Sequence, residues 1–280
     1  WPTKKFIEKI KFCIKIFKNK FYCIIVLDGK KRSLYCAFFT KAKYKISIVT
    51  KIFYKFIFKF NFTKIIYDDY SQNKIDLHKS ALKILNFNII SDDLNVLINR
   101  EFNSTLNNSG ISPLFENKAF VMLHFDEKWI FTDYIKSYKN IEPKINEFRK
   151  FVLNIVNVSK KNLIITNGIS SNNITNSFRN ELTKINANCY YKEVEDRFII
   201  YFDKTNFFDI EYLINKSELL ISCHGAPTHI AAALNKKIFD IVDNSEELLF
   251  KKFSHHFRNY NSFFRKDFAD LSKEIVSRLG

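Results

Sequence analysis

Apolar runs of strand length alternate with segments of helical periodicity along most of this chain. A run such as "CIIVLD" is short and continuously apolar, whereas "INEFRKFVLNIVNV" repeats its apolar residues at helical spacing. This alternation predicts an α/β fold, in which helices cover both faces of parallel sheets. Strands are expected at residues 23–28, 45–50, 119–125, 162–166, 189–194, 219–223 and 237–243, and helices at 4–17, 33–42, 74–87, 145–158, 174–185, 209–217, 227–235, 246–253 and 266–279.

The chain is long enough for two domains of this kind. Its 280 residues are 46% hydrophobic, which suffices for two cores of ordinary size. The richest turn segment is "NNSGISPLFENK" at 107–118. We therefore expect one unit over residues 1–112 and a second over 113–280.

The net charge and the cysteines indicate which classes of partner and which cellular compartment to expect. A formal net charge of +16 favours anionic partners, such as nucleic acid, an anionic membrane or a phosphate-bearing substrate. The five cysteines form no CxxC pair, which is typical of a reducing compartment. The sequence also has no uncharged apolar run of about 18 residues, the length of a membrane span. We expect a cytoplasmic protein.

A basic nucleic-acid-binding protein is the main alternative that the composition suggests. The 31 Phe and 13 Tyr, however, fall mostly within apolar strands and helices, and no RNA- or DNA-binding motif occurs. The histidines show no metal-ligand spacing either. We therefore expect neither a nucleic-acid partner nor a metal.

Three of the five glycines follow expected strands directly. Gly29, Gly168 and Gly225 come just after the apolar runs at 23–28, 162–166 and 219–223. Ligands of open α/β sheets bind at the carboxyl ends of the strands, so these positions are candidates for a binding site. The alternative is that the glycines only permit tight turns.

The segment after Gly225 carries the clearest sign of a ligand. Pro227 suits the first turn of a helix, and the backbone N–H groups of Thr228, His229 and Ile230 are expected to be free at its start. Together with the helix dipole, such groups bind anions. A buried helix start would explain the glycine and the proline, but it does not require two polar side chains.

The stretch "LLISCHGAPTHIAAALNKKIFDIV" resembles the C-terminal signature of glycosyltransferase family 9, the heptosyltransferase-like enzymes. Gly225, His229 and residues 231–234 match that signature residue by residue. Cys223 and His224 stand where the family usually has Asp and Thr. Two further segments are similar: "HFDEKW" at 124–129 resembles the opening of the family's donor domain, and "FYCIIVLDGKKRS" at 21–33 resembles a strand of its acceptor domain.

This resemblance implies the GT-B fold, in which two Rossmann-like domains face each other. The C-terminal domain would hold a nucleotide-diphosphate sugar, with ADP and heptose favoured, and the N-terminal domain the acceptor. The transfer would be inverting and independent of metals and cofactors. The product would belong to lipopolysaccharide or another cell-surface polysaccharide.

The same resemblance suggests which residues bind the donor. Lys128 is expected to contact the diphosphate, although a single lysine beside a strand end is often only solvated. The start of the helix at 228–230 would hold the other oxygens. Further candidates on the donor side are His124, Asp126, Gly168, Cys223 and His224.

The catalytic base is expected in the N-terminal domain. The family's acidic residue follows a glycine-rich turn that does not precede "CIIVLD" here, so we expect the chain to lack an N-terminal segment. Asp28 is the substitute candidate, although an aspartate at a strand end often only caps a turn. A catalytically inactive, nucleotide-binding relative is the remaining alternative.

Lysines interleave with apolar residues at 4–20 and again at 41–59. Such a basic amphipathic surface can lie on an anionic bilayer, which would suit a lipid-linked acceptor at the inner face of the cytoplasmic membrane. The alternative is an ordinary helix whose apolar side faces the core.

Overall fold

The computed structural model describes residues 6–87, 102, 104, 106, 111–130, 138–168 and 172–280. The chain divides into two compact units, Trp1–Asp92 and Asp93–Gly280. The sequence placed the boundary near residue 112, in a turn segment whose residues 107–110 lie outside the described part. Ile111 and Phe115 pack in the core of the second unit, together with Phe102 and Leu106.

The first unit contains a small parallel sheet, with strand order β1-β2-β3. Its core centres on Phe58 and Phe62, which pack against strand residues such as Val26 and Val49. The sequence predicted β1 and β2 but missed α3 and β3, because α3 is only six residues long with none of them buried and β3 has only four residues. The elements are α1 (Phe6–Lys18), β1 (Cys23–Val26), α2 (Lys31–Phe38), β2 (Tyr44–Val49), α3 (Ile52–Ile57), β3 (Lys64–Tyr67) and α4 (Lys74–Lys83).

The second unit is built on an eight-stranded sheet, with strand order β11-β10-β9-β4-β5-β8-β7-β6. Its strands are β4 (Phe120–His124), β5 (Asn162–Thr166), β6 (Thr183–Lys184), β7 (Cys189–Val194), β8 (Arg197–Phe202), β9 (Leu219–Cys223), β10 (Lys237–Val242) and β11 (Tyr260–Phe264). Its α-helices are α5 (Glu127–Ile130), α6 (Ile145–Ser159), α7 (Asn173–Arg179), α8 (Phe207–Lys216), α9 (Ala226–Ala233), α10 (Glu247–Ser254) and α11 (Phe268–Ser277).

Helices cover both faces of this sheet, as predicted. Every residue of β4 is buried, which is typical of a parallel strand with helices on either side. Val121 and Leu123 face the core formed with α6 and α11, whereas Phe120 and Met122 face the core formed with α8 and α9. The predicted α/β class with parallel sheets is therefore confirmed.

One edge of the sheet differs from the expected strand–helix alternation. Strands β6, β7 and β8 pair antiparallel, and β7 joins β8 through a tight turn in which Glu195 has a φ of 55°. The sequence predicted β7 but not β8, since the two runs are separated by only two charged residues. It also missed β11, in which only Phe263 is buried and the polar Asn261 and Ser262 interrupt the apolar residues.

Candidate functional site

A cavity of about 580 Å³ lies at the carboxyl ends of β4, β9 and β10. These strands are neighbours in the sheet, so the loops that follow them meet at one place. We call this space the strand-end cavity. It is lined by Glu127, Lys128, Tyr138, Cys223, His224, Gly225, Ala226, His229, Ile241, Glu246, Leu249, Phe250, Phe253 and Arg265.

Lys128 lies directly over the start of α9. Its Nζ donates a hydrogen bond to the backbone oxygen of His224 (3.1 Å), and a Cβ at residue 225 would collide with that Nζ. Gly225 has an extended backbone (φ 169°), so it is the missing side chain and not an unusual φ that matters here. The glycine therefore lets a lysine ammonium approach the positive end of a helix dipole, an arrangement that favours an anion between them.

The backbone amides of the helix start are less free than the sequence suggested. The N–H groups of Thr228 and His229 both donate to the Gly225 oxygen, at 3.1 and 3.4 Å, so the prediction that they are free is wrong. The Thr228 hydroxyl is also occupied, because it donates to the same oxygen (2.7 Å) and accepts from the Gly225 N–H (3.2 Å). Ile230 is buried in the core. Ala226, the first residue of the helix, is exposed, and its N–H precedes the helical hydrogen-bond ladder.

Lys128 is held in place by a buried polar cluster that consists of His124, Thr166 and Asp126. His124 Nδ1 lies 2.8 Å from the Thr166 hydroxyl, and its Nε2 lies 3.6 Å from Asp126. The Asp126 carboxylate accepts from the Lys128 backbone N–H (3.2 Å) and lies 3.5 Å from its Nζ. Burial raises the pKa of Asp126, but the hydrogen bond and charge of His124 and the charge of Lys128 outweigh burial, so the net pKa is lowered. The charged carboxylate therefore anchors Lys128.

His224 forms a second chain of contacts at the cavity wall. Its Nδ1 lies 2.6 Å from Asp240 Oδ2, and the same oxygen accepts from the Tyr260 hydroxyl (2.9 Å). Asp240 is fully buried, and its other carboxylate oxygen has no hydrogen-bond partner. A carboxylate on Nδ1 fixes the orientation of the imidazole. The polar edge of His224 is therefore positioned by a residue that does not itself line the cavity.

Aromatic rings surround His229 on the same wall. The imidazole packs edge-on against Phe257 at 5.2 Å and His224 at 5.4 Å between ring centroids. Desolvation, together with smaller contributions from the nearby His224 and His256, lowers the pKa of His229 to about 4. The ring is thus neutral near pH 7, where it can donate or accept a hydrogen bond but adds no charge to the cavity.

Replacing His229 should reduce the acid sensitivity of the fold. Between pH 6.5 and 4 the unfolded chain binds a proton at this histidine that the folded chain does not, so folding stability falls as the pH decreases through that range. Since the ring keeps an exposed edge, we expect His229→Gln to lose about 1 kcal/mol less than the parent between pH 7 and pH 5. Urea unfolding at both pH values measures this difference.

His255→Gln is the matched control, since it removes an exposed histidine directly beside His256. The control should lose nearly as much stability as the parent on acidification, because His255 is only the smaller of the two causes that lower the pKa of His256. Equal acid sensitivity of the parent and His229→Gln would show that His229 is protonated normally in the folded state.

Arg265 and Cys223 form the floor of the cavity. Arg265 is buried and donates to the backbone oxygens of Lys139 (2.8 Å) and Lys128 (2.7 Å), and its Nη1 lies 3.5 Å from the Cys223 sulfur. Burial strongly raises the pKa of the Cys223 thiol, which keeps it protonated. Cys223 is therefore a packed neutral residue, and Arg265 ties three strand-end loops together.

The remaining sequence candidates lie in different places. Gly168 follows β5, beside Asp126 and the Glu127 carboxylate. Asp28 belongs to the first unit, where its carboxylate accepts from the Lys30 N–H (3.2 Å) and the Ser33 hydroxyl (2.9 Å) at the start of α2. Those bonds stabilise the turn that leads into α2. Gly29 is constrained: its φ is 56°, and a Cβ there would meet the Ile48 backbone oxygen.

Several residues of the cavity were not predicted from the sequence. Apart from Glu127, which lies in the HFDEKW segment, they belong to segments that are distant in sequence and carry no local motif. In the described part of the chain, no group of three or more His, Cys, Asp or Glu side chains could hold a metal ion. The unpredicted lining residues include Glu127, Tyr138, Glu246, Phe250, Phe253 and Arg265. Asp240, which holds His224 from behind the cavity wall, was not predicted either.

The structure thus contains two α/β units, and in the second unit a lysine ammonium lies over a helix start at the carboxyl ends of the strands. No protein-family profile matches the sequence, and no curated protein matches it. Several solved structures share the fold. The Escherichia coli heptosyltransferase WaaC with ADP is 10% identical, with a TM-score of 0.62, over 98% of this chain and 78% of that chain.

Two other structures are similar over nearly the whole chain. A glycosyltransferase family 9 protein from Veillonella parvula is 13% identical, with a TM-score of 0.59, over 98% of this chain and 72% of that chain. A UDP-GlcNAc 2-epimerase from Methanocaldococcus jannaschii is 11% identical, with a TM-score of 0.54, over 98% and 76% of the two chains. At these identities the similarities show a shared fold.

Proposed function

We propose that the strand-end cavity binds the diphosphate of a nucleotide-linked sugar and that the chain is a glycosyltransferase. The observation that carries this proposal is the position of Lys128, whose ammonium is held over the exposed start of α9 inside a cavity at the strand ends. A cation and a helix start that converge on one point are suited to a phosphate. The shared fold with glycosyltransferases supports the proposal.

The surroundings of Lys128 suit the rest of a donor molecule. The Ala226 N–H and the positioned ring of His224 offer further hydrogen bonds on the same side of the cavity. Phe250 and Phe253 add apolar rings against which a base or a sugar can stack. A ligand that combines a charged diphosphate with a flat base would contact both the polar groups and the aromatic rings of the cavity.

In the proposed reaction, the chain stabilises the departing diphosphate and removes a proton from the acceptor hydroxyl. Lys128 and the α9 dipole would offset the charge that develops on the leaving group, a task that otherwise falls to a metal. We propose inverting transfer without a metal or cofactor, with Asp28 as the candidate base in the first unit. An enzyme that keeps its activity in excess EDTA would support this mechanism.

ADP is the first nucleotide to test, and heptose the first sugar, since one structure of similar fold is a heptosyltransferase with ADP. The proposed acceptor is a glycan or a lipid-linked saccharide of the cell surface, with lipopolysaccharide as the leading case. The proposed place of action is the cytoplasm, at the inner face of the membrane.

Removal of the Lys128 ammonium should weaken nucleotide binding. A charge-assisted hydrogen bond contributes about 1.5–3 kcal/mol, so we expect Lys128→Ala to bind ADP roughly ten- to a hundredfold more weakly. Isothermal titration calorimetry of the full chain measures the change. Lys273→Ala is the matched control, because its exposed ammonium lies on α11 and does not line the cavity.

A second variant tests the geometry without removing the charge. In Gly225→Ala the new methyl group displaces the Lys128 ammonium, which is the flexible end of a side chain, so ADP affinity should fall while stability changes little. If Lys128→Ala and Gly225→Ala both bind ADP, UDP and GDP as the parent does, the cavity is not the diphosphate site.

Product analysis separates the candidate activities. Transfer of sugar to an acceptor supports the glycosyltransferase, whereas nucleotide binding without turnover supports an inactive relative. Interconversion of UDP-GlcNAc without an acceptor would instead indicate an epimerase, an activity worth assaying because a UDP-GlcNAc 2-epimerase shares the fold.

A further inference from the structure

The positive charge of the chain lies almost entirely in its first unit. Residues 1–92 contain 20 Lys and Arg against 6 Asp and Glu, a net charge of +14, whereas residues 93–280 contain 25 against 23, a net charge of +2. From residue 29 to residue 67 there are ten basic residues and no acidic one. Genome-wide lysine bias would charge both units, so the difference between them indicates a surface that meets an anionic partner.

Helix α3 presents apolar side chains to solvent in the middle of this basic stretch. None of its residues is buried. The exposed fractions are 64% for Phe53, 65% for Phe56 and 96% for Phe60, which follows the helix in a turn. Three exposed lysines alternate with these rings. We call this set, Lys51, Phe53, Lys55, Phe56, Lys59 and Phe60, the phenylalanine–lysine surface.

The backbone under this surface is held firmly by the core. Phe58 lies between Phe56 and Phe60 in the chain but points inward and is buried. Its ring contacts those of Tyr35 and Phe62, at 5.4 and 5.8 Å between centroids. Phe53, Phe56 and Phe60 therefore project outward from an anchored segment.

We propose that the phenylalanine–lysine surface docks the first unit onto an anionic lipid bilayer. Phenylalanine rings leave water when they enter the boundary between headgroups and acyl chains, and lysine side chains extend from that depth to lipid phosphates. The alternation of rings and ammonium groups provides both interactions at one depth. None of the helices in the described part of the chain has the length and apolar character of a membrane span.

The exposed side chains of α3 favour a lipid bilayer over nucleic acid as the anionic partner. Aromatic rings stack on bases, but α3 also exposes Ile52 and Ile57, which have no flat face for stacking and gain only from leaving water. This inference concerns the first unit alone. It does not depend on nucleotide binding in the second.

Co-sedimentation of the full chain with vesicles tests the proposal. We expect binding to vesicles that contain phosphatidylglycerol and little binding to vesicles of phosphatidylcholine alone. Phe53→Ser, Phe56→Ser and Phe60→Ser together should lower the partition constant roughly a hundredfold. Replacing Lys51, Lys55 and Lys59 by Gln should lower it to a similar degree and weaken its dependence on salt.

The matched control replaces Phe207 and Phe208 by Ser, two exposed phenylalanines of α8 in the second unit. This variant should bind vesicles as the parent does. Because every replaced side chain is exposed, all variants should keep the parent's melting temperature. Phe60→Ser alone, at the most exposed position, provides a second test if the triple variant does not fold.

Three results would overturn the proposal. The first is a parent chain that stays in the supernatant, or a triple phenylalanine variant that sediments like the parent. The second is a dimer of the parent in light scattering that becomes a monomer in the triple variant, which would assign the surface to a second copy. The third is single-stranded RNA binding that the triple variant loses while vesicles bind neither protein.

Discussion

Trp129→Ala should lower the free energy of unfolding by about 3–5 kcal/mol, the largest loss that we expect from one side chain of the second unit. Trp129 is fully buried, and its ring packs against Phe125 at 4.9 Å and Phe268 at 6.3 Å between centroids. Truncation would leave a large cavity lined by rings that α6 and α11 hold apart. Denaturant unfolding monitored by circular dichroism measures the loss.

Trp129→Phe separates packing from hydrogen bonding. It keeps an aromatic ring but removes the indole N–H, which donates to the His124 backbone oxygen at 2.9 Å. We expect a loss of about 1–2 kcal/mol, smaller than that of the alanine variant. Equal losses of unfolding free energy in the two variants would show that the hydrogen bond contributes more than packing. No loss in either variant would show that Trp129 is not a core residue.

Trp129 also links stability to the proposed site. It follows Lys128 directly, and its bond to His124 fixes the turn from which the lysine reaches over α9. A folded Trp129→Phe variant should therefore bind ADP more weakly than the parent, although its indole does not line the strand-end cavity.

The sequence predicted those elements whose periodicity is uninterrupted. Helix α6 repeats its apolar residues over 15 positions, and β4, β5 and β9 are apolar almost throughout, so the predicted and observed ranges agree within a few residues. It missed β8 because only Glu195 and Asp196 separate it from β7. Because a hairpin turn replaces the crossover helix, no helical pattern separates β7 from β8 in the sequence.

The site was predictable only where it is local in sequence. Gly225 was predicted from its position after a strand and Lys128 from the resemblance of the segment around it to a known family, and the structure brings the two residues into contact. Asp240 was not predicted, because a fully buried carboxylate inside β10 resembles any other polar interruption of a strand. The free amides were predicted wrongly at Thr228 and His229, since the sequence does not reveal that the Gly225 oxygen accepts from both.

The pair formed by His224 and Asp240 allows a sharper test, because its strength can be measured as a coupling. Asp240→Ala leaves the imidazole Nδ1 of His224 and the hydroxyl of Tyr260 without their shared acceptor. Breaking a buried pair from one side costs about 3–5 kcal/mol, and the smaller figure applies here because the His224 ring is only partly buried at the cavity wall. We expect a loss of about 3 kcal/mol in unfolding free energy.

The double variant of Asp240→Ala with His224→Ala should lose less than the sum of the two single variants, by about 1–2 kcal/mol. Tyr260→Phe removes only the hydroxyl that donates to Asp240, and it should lower the free energy of unfolding by about 1 kcal/mol. Strictly additive losses would show that the 2.6 Å contact contributes no net stability. If the pair acts as proposed, Asp240→Ala should also weaken ADP binding, because the ring of His224 then loses the partner that sets its orientation at the cavity wall.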